Sequence, residues 1–204
     1  MKKNLTERFF AELDRELGRP AEIILTGAAA GSLLGSIRPS LDIDFEIRVK
    51  GKAPATAQKN AAVAEAIQKA SAKTGIDVNY SEDIGHWSMI DYLNYRQTAV
   101  PYKTIGRLKV KLMASGHWTI GKMARFLEID VNDLVKVIKK KKLAARDLIL
   151  LWSRALKASP LSPALETFRD HVVYFLEKHG KSVWGKNFDP DEAVFLFRRR
   201  IGQK

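Results

Sequence analysis

Three carboxylates in two short alternating segments are the residues of this chain most suited to chemistry. From Asp42 to Val49 the chain alternates strictly: Ile43, Phe45, Ile47 and Val49 face one way, and Asp42, Asp44, Glu46 and Arg48 the other. Residues two apart in a strand point to the same side, so Asp42 and Asp44 hold like charges close together. That arrangement is unfavourable unless a cation neutralises it, and paired carboxylates are how Mg²⁺ is commonly held beside phosphates. A second alternating segment, Ile76-Asp77-Val78-Asn79-Tyr80, opens its polar side with Asp77. If the two strands are neighbours, three carboxylates converge, enough to hold two divalent ions for an in-line phosphoryl displacement. Asp-x-Asp alone is short, and a solvated edge strand with acidic outward positions also accounts for it. The upstream segment adds weight. Thr26-Gly27-Ala28-Ala29-Ala30-Gly31-Ser32-Leu33-Leu34-Gly35 follows an apolar run and opens a helix. Its small residues would let backbone N–H groups approach a triphosphate at the helix N-terminus. Close packing of a helix on a sheet explains Gly31 and Gly35 better than it explains Gly27.

The elements that must position these groups are legible from periodicity. Leu5, Phe9, Leu13 and Leu17 recur at helical spacing and stop at Gly18-Arg19-Pro20, which predicts an opening amphipathic helix. The run from Glu22 to Thr26 predicts a buried strand, and 28–37 a short helix. Residues 42–49 predict a strand, the Ala-rich 55–73 a helix closed by Gly75, and 76–80 another strand. Tyr92 to Lys103 is irregular and contains Pro101, which places a domain junction there. A further strand is expected within Ile105–Met113, and helices follow. Leu165, Phe168, Val172 and Phe175 form one apolar stripe with Gly180 as its stop, and Ala193, Val194, Phe197 and Ile201 form the last. Ser162-Pro163 and Asp189-Pro190 both read as an N-cap followed by proline at the first helical position. The expectation is an α+β protein: a mixed sheet flanked by helices over residues 1–104, then an all-helical domain over 105–204.

Composition narrows the function classes. The 204 residues contain no cysteine, which excludes a disulfide scaffold, a cysteine zinc site and a thiol nucleophile. His86, His117, His171 and His179 lack metal-ligand spacing. Glu7 and Arg8 interrupt any apolar stretch after Met1-Lys2-Lys3, and no run is long enough for a membrane helix, so a soluble, cytoplasmic protein with no membrane partner is expected. The net charge of +12 is concentrated: residues 1–104 hold 14 Lys and Arg against 13 Asp and Glu, and residues 105–204 hold 21 against 10. A basic half with the runs Lys139–Lys142 and Arg198–Arg200 suits a polyanion, most commonly nucleic acid. Cations also complement a helix C-terminus without any ligand. Trp118, Trp152 and Trp184 read as packing anchors. Residues 120–138 scan as a helix-turn-helix, with Ala124, Ile129, Leu134 and Val137 at its packing positions. Glu128 stands at the usual turn glycine, however, and Asp130 and Asp133 would face DNA, so a plain helical hairpin fits better.

Residues 22–49 resemble the nucleotidyltransferase superfamily of polymerase-β type, closest to the minimal forms among abortive-infection and toxin–antitoxin nucleotidyltransferases. Those carry a strand, a Gly-Gly or Gly-Ser turn, a small-residue helix, an Arg, and Asp-x-Asp on the next strand. Here Gly27-Ala28 stands at the turn, Leu34-Gly35 ends the helix, Arg38 is the arginine and Asp42-Ile43-Asp44 is the metal strand. The second turn residue is Ala28 where the family has Gly or Ser, which removes a hydroxyl that could touch phosphate. The likeness continues more weakly at Lys122 and at Asp130 and Asp133, which match a Lys-Leu-x-Ala helix and an Asp-x-x-Asp helix. The resemblance implies an Mg²⁺-dependent enzyme, with a two-metal site formed by Asp42, Asp44 and Asp77. It would bind a nucleoside triphosphate through Gly27, Ala28, Arg38 and Lys122, with Lys109 and Lys111 as rivals for the lysine's role. Nucleoside monophosphate would pass to a hydroxyl acceptor, an RNA such as a tRNA or else a protein, in a toxin-type role that an antitoxin protein could silence. The alternative is a non-catalytic nucleotidyltransferase-like protein or a helix-turn-helix nucleic-acid binder. A small-molecule nucleotidyltransferase of the antibiotic-modifying kind would need an acidic acceptor cleft, which the basic half opposes.

Overall fold

The structure, a computed structural model, describes residues 5–35, 42–49 and 56–202. Its elements follow the order α1 (Leu5–Leu17), β1 (Ala21–Leu25), α2 (Gly27–Leu34), β2 (Asp42–Val49), α3 (Thr56–Thr74), β3 (Asp77–Ser81), a 3₁₀ turn (Ile84–Trp87), α4 (Tyr95–Thr98), β4 (Val100–Ile105), β5 (Leu108–Leu112), α5 (Ser115–Arg125), α6 (Glu128–Lys141), α7 (Ala145–Ala158), α8 (Pro163–Trp184) and α9 (Pro190–Ile201). The chain divides into two compact units. One holds the described residues within 1–30, 39–84 and 99–113, and the other those within 31–38, 85–98 and 114–204. No helix among the described residues is long and apolar enough to cross a membrane.

The first unit is built on a five-stranded mixed sheet in the order β3-β2-β1-β5-β4. Strand β2 runs antiparallel to β1 and parallel to β3, and β5 runs parallel to β1 and antiparallel to β4. Period-two alternation in β2 divides the sheet into a dry side and a charged side. On the dry side Ile43, Phe45 and Ile47 are buried together with Ile23, Leu25, Leu108 and Val110. Helix α1 covers this side: Phe9 and Phe10 pack on the Phe45 ring at 5.8 and 5.4 Å between centroids. Helix α3 packs beside α1 through the face that buries Val63, Ala66, Ile67 and Ala70.

The expected boundary at residue 104 falls inside β4, and the structural division instead follows β5. Strand β4 was hidden in a stretch that reads as irregular. It is an edge strand, exposed at four of its six positions and bulged between Pro101 and Lys103. It therefore carries no alternation, and its proline is tolerated because an edge can spare a ladder donor.

The second unit is mainly helical. Its core gathers Trp118 from α5, Leu134 and Val137 from α6, Trp152 from α7, Phe168, Val172 and Phe175 from α8, and Phe197 from α9. The Trp152 indole N–H donates to the Thr119 hydroxyl at 2.9 Å, which satisfies both groups inside the core. The Trp184 indole N–H donates to the Leu143 carbonyl at 2.9 Å. His171 stacks on Phe126 at 4.5 Å and His179 leans on Phe175 at 5.5 Å, so both take part in packing. Asp189 caps α9 as expected, accepting from the backbone N–H groups of Asp191 and Glu192. The Ser162 hydroxyl makes no such bond to α8.

Gly180 does not end α8, which continues to Trp184. The glycine is buried, and a Cβ there would lie 2.1 Å from the Phe188 ring. A glycine inside a helical pattern ordinarily signals a C-cap; here it admits an aromatic ring from the following loop. Gly180→Val is expected to cost about 3 kcal/mol, the upper range for overpacking, measured as a lowered urea midpoint. Unchanged stability would mean that Phe188 does not seat there.

Candidate functional site

The charged side of the first unit's sheet collects the polar residues of four strands. The registers place Asp42 opposite Asp77, Asp44 opposite Asn79 and Glu46 opposite Ser81. On the other flank Glu22 of β1 lies opposite Lys109 of β5. Asp42 and Asp44 are both half-buried, and one side chain bridges them. The Asn79 amide nitrogen donates to Asp42 Oδ2 at 3.2 Å and to Asp44 Oδ1 at 3.0 Å. An amide has two N–H donors, so a single asparagine can serve both carboxylates while adding no charge.

The turn at Gly27 meets this pair directly. The Thr26 N–H donates to the Asp44 backbone carbonyl at 2.9 Å, which continues the β1–β2 ladder into the turn. Gly27 then adopts φ +61°, and a Cβ on it would lie 1.7 Å from Asp44 Oδ2. Glycine is required twice at this position, by the left-handed backbone and by the carboxylate resting against it. The carboxylate lies at the first residue of α2, where the helix dipole favours negative charge. Ala28 follows it, almost buried. Gly31 answers to a different demand: the Trp118 ring would touch any Cβ there, at 2.7 Å. Arg38 lies outside the described residues.

The structure brings Asp42 and Asp44 together and places Asp77 in register beside them, exposed at the start of β3. Among the described residues no group of three or more His, Asp or Glu side chains is gathered as a metal cage. In the sequence Asn79 shows only as an alternating position two residues beyond Asp77. Glu46 stands two residues beyond Asp44 on the same side and is wholly buried, accepting from the Ile84 N–H at 3.3 Å. Lys111 pairs with Glu22 at 3.1 Å, and Lys109 is exposed on the same side of the sheet.

Lys122 belongs to the helical unit and is buried at 4% exposure. Its ammonium reaches Asp130 Oδ1 at 2.9 Å and Asp133 Oδ2 at 3.0 Å, beside the Trp118 ring. Arg125 completes the cluster with two hydrogen bonds of 2.6 Å to Asp130. The Lys-…-Asp-x-x-Asp pattern thus closes on itself, tying α5 to α6. Asp130 and Asp133 point into this cluster and not outward as a recognition surface would require.

Burial pushes the Asp130 carboxyl up, but the hydrogen bonds from Arg125 and Lys122 and their charges outweigh it and hold it below its ordinary value. A carboxyl depressed in the folded state contributes stability that is complete above the unfolded value near 3.9 and is lost as pH falls through the lower folded value. Acid unfolding should therefore be less steep below about pH 4 in Asp130→Asn than in the parent, as followed by circular dichroism. Lys122→Met leaves two buried carboxylates with one fewer cation and should cost about 3–5 kcal/mol in urea unfolding. A variant as stable as the parent would return Lys122 to the list of ligand-binding residues.

Comparison of the chain with protein-family models, curated protein sequences and solved structures finds no match.

Proposed function

We propose that the chain is an Mg²⁺-dependent nucleotidyltransferase, which transfers a nucleoside monophosphate from a nucleoside triphosphate to a hydroxyl acceptor, with pyrophosphate as the leaving group. The observation that carries this reading is the Asp42–Asp44 pair, bridged by Asn79 and resting against Gly27 at the start of a helix. Two adjacent carboxylates are the donor set a hard cation with retained waters takes. Bound there, magnesium would neutralise charge developing on the phosphates. Asp42 and Asp44 would hold the ion, and a two-ion arrangement would draw on Asp77 as well. A phosphate at the N-terminus of α2 would have to approach beside the Asp44 carboxylate, which rests against Gly27. Lys122 spends its charge on Asp130 and Asp133, Lys111 pairs with Glu22, and Lys109 lies opposite Glu22 at the end of β1 away from Gly27. Asp77, exposed at the edge of the pair, would accept the proton of the attacking hydroxyl. The basic helices favour an RNA acceptor over a protein. A toxin-type role rests on the resemblance alone.

The test is incubation with labelled nucleoside triphosphates, Mg²⁺ and total RNA. Asp42→Asn and Asp44→Asn should each lose more than about 100-fold in label transfer, and Asn79→Ala about 10–100-fold, the loss usual for a group that orients a metal ligand. All three variants should keep the parent's circular dichroism. Full transfer by both aspartate variants would sink the reading, and salt-sensitive RNA retention without transfer by the parent would favour a non-catalytic binding protein.

A further inference from the structure

In the helical unit, α6 and α8 lie side by side and run in the same direction. Phe126, just before α6, stacks on His171 of α8, while Lys139 near the end of α6 donates to the Ser182 hydroxyl at 3.4 Å. The two C-terminal ends therefore meet on one face. The ends of these helices carry Lys136 and the run Lys139–Lys142 from α6, with the Lys140 stem beside Gly35, and Lys178 and Lys181 from α8, every one of them exposed. None of these lysines is ion-paired among the described residues. The one carboxylate on the last two turns of these helices before Trp184 is Glu177.

Helix dipoles do not account for so much charge. Each C-terminus presents about half a negative unit, so two of them offset about one of the seven ammonium groups and Glu177 a second. The helix ends keep a large positive surplus, carried by two packed helices whose axes are usually about 8–10 Å apart. Such a surplus suits a phosphodiester chain.

A second feature separates nucleic acid from other polyanions. Tyr174, one turn before Lys178 on the same side of α8, is 50% exposed. Its ring stands edge-on to Phe126 at 6.0 Å and 87°, which limits its orientation. A half-exposed, held aromatic beside lysines is a stacking platform for an unpaired base. A membrane-binding face would instead need several apolar side chains among the lysines. No large apolar side chain from 136 to 142 or from 178 to 186 is exposed.

We infer that the C-terminal ends of α6 and α8, with Tyr174, form a docking surface for single-stranded RNA. The choice of RNA rests on the proposed transferase reading, and the surface supplies the place where the acceptor is held.

The test uses the full chain and a fluorescein-labelled single-stranded RNA of about 20 nucleotides, longer than the usual site, read by anisotropy across a salt series without triphosphate. Lys136→Gln/Lys141→Gln/Lys178→Gln/Lys181→Gln should flatten the slope of log affinity against log salt by up to about 3, since each lost phosphate contact removes about 0.7. Tyr174→Ala should weaken binding by about 5- to 150-fold, and Tyr174→Phe should restore it. Arg198→Gln/Arg199→Gln, on α9, should bind as the parent does. All of these substitutions are at exposed positions, and thermal melts check that each variant folds. Because binding is read without triphosphate, a parent protein that retains RNA at this surface but never transfers nucleotide keeps this inference and sinks only the transferase reading. An unchanged salt slope in the lysine variant, or an equal loss in the α9 variant, overturns the placement. Equal affinity for single-stranded DNA of the same sequence, or preference for anionic phosphatidylserine vesicles, overturns the assignment to RNA.

Discussion

Two like charges held on neighbouring same-side positions of β2 set the terms for the rest of the sheet unit. The two carboxylates share one Asn79 nitrogen at 3.2 and 3.0 Å, and at the effective dielectric of a protein surface charges so close repel by about 3 kcal/mol. Asn79 answers with two hydrogen bonds to charged acceptors, each worth about 1.5–3 kcal/mol, so one neutral side chain can balance the repulsion. That bridge exists only if β3 lies parallel to β2 in the register that sets Asp44 against Asn79. The other side of β2 must then be dry enough to secure the strand, which Phe9, Phe10 and Phe45 provide in mutual contact. A one-residue slip would bring Phe45 among the charges and the aspartates beneath α1.

The helical unit handles charge by two opposite means. Around Lys122 the ammonium and two aspartates are taken out of water and matched, and a half-exposed Arg125 closes the cluster through two bonds to Asp130. Burial makes that cluster costly to break, and a group so engaged has little left for a ligand. At the ends of α6 and α8 the cations remain in water with no carboxylate partner among the described residues, which stabilises the fold hardly at all and leaves their field available over a distance set by salt. The same residue type thus serves cohesion in one place and long-range attraction in another, and the presence of nearby acids at the right depth distinguishes them.

Much of the sheet unit is readable from local pattern. Alternation locates β2 to the residue and β3 within one, because a half-buried strand prints its two environments onto successive side chains. The apolar stripe and the breaker at Gly18-Arg19-Pro20 bound α1 equally well. Strand β4 left no such print, since an edge strand with most positions in water has no second environment to record. Gly180 carried a misleading one: a glycine that makes room for Phe188 looks the same in sequence as a glycine that ends a helix.

At the site, the sequence by itself determined that Asp42, Asp44 and Glu46 share a side of one strand and that a glycine-led helix follows the strand before it. Those facts depend on backbone periods of two and of 3.6, which act between near neighbours. Tertiary structure alone decided that the amide of Asn79 bridges the two aspartates, that Asp44 rests on Gly27, and that Glu46 is sealed from water. It also decided that Lys122 spends its charge on Asp130 and Asp133 while the lysines at the ends of α6 and α8 keep theirs. Each of those outcomes depends on which strand or helix is brought alongside, and that is settled by burying apolar faces between segments far apart in the chain.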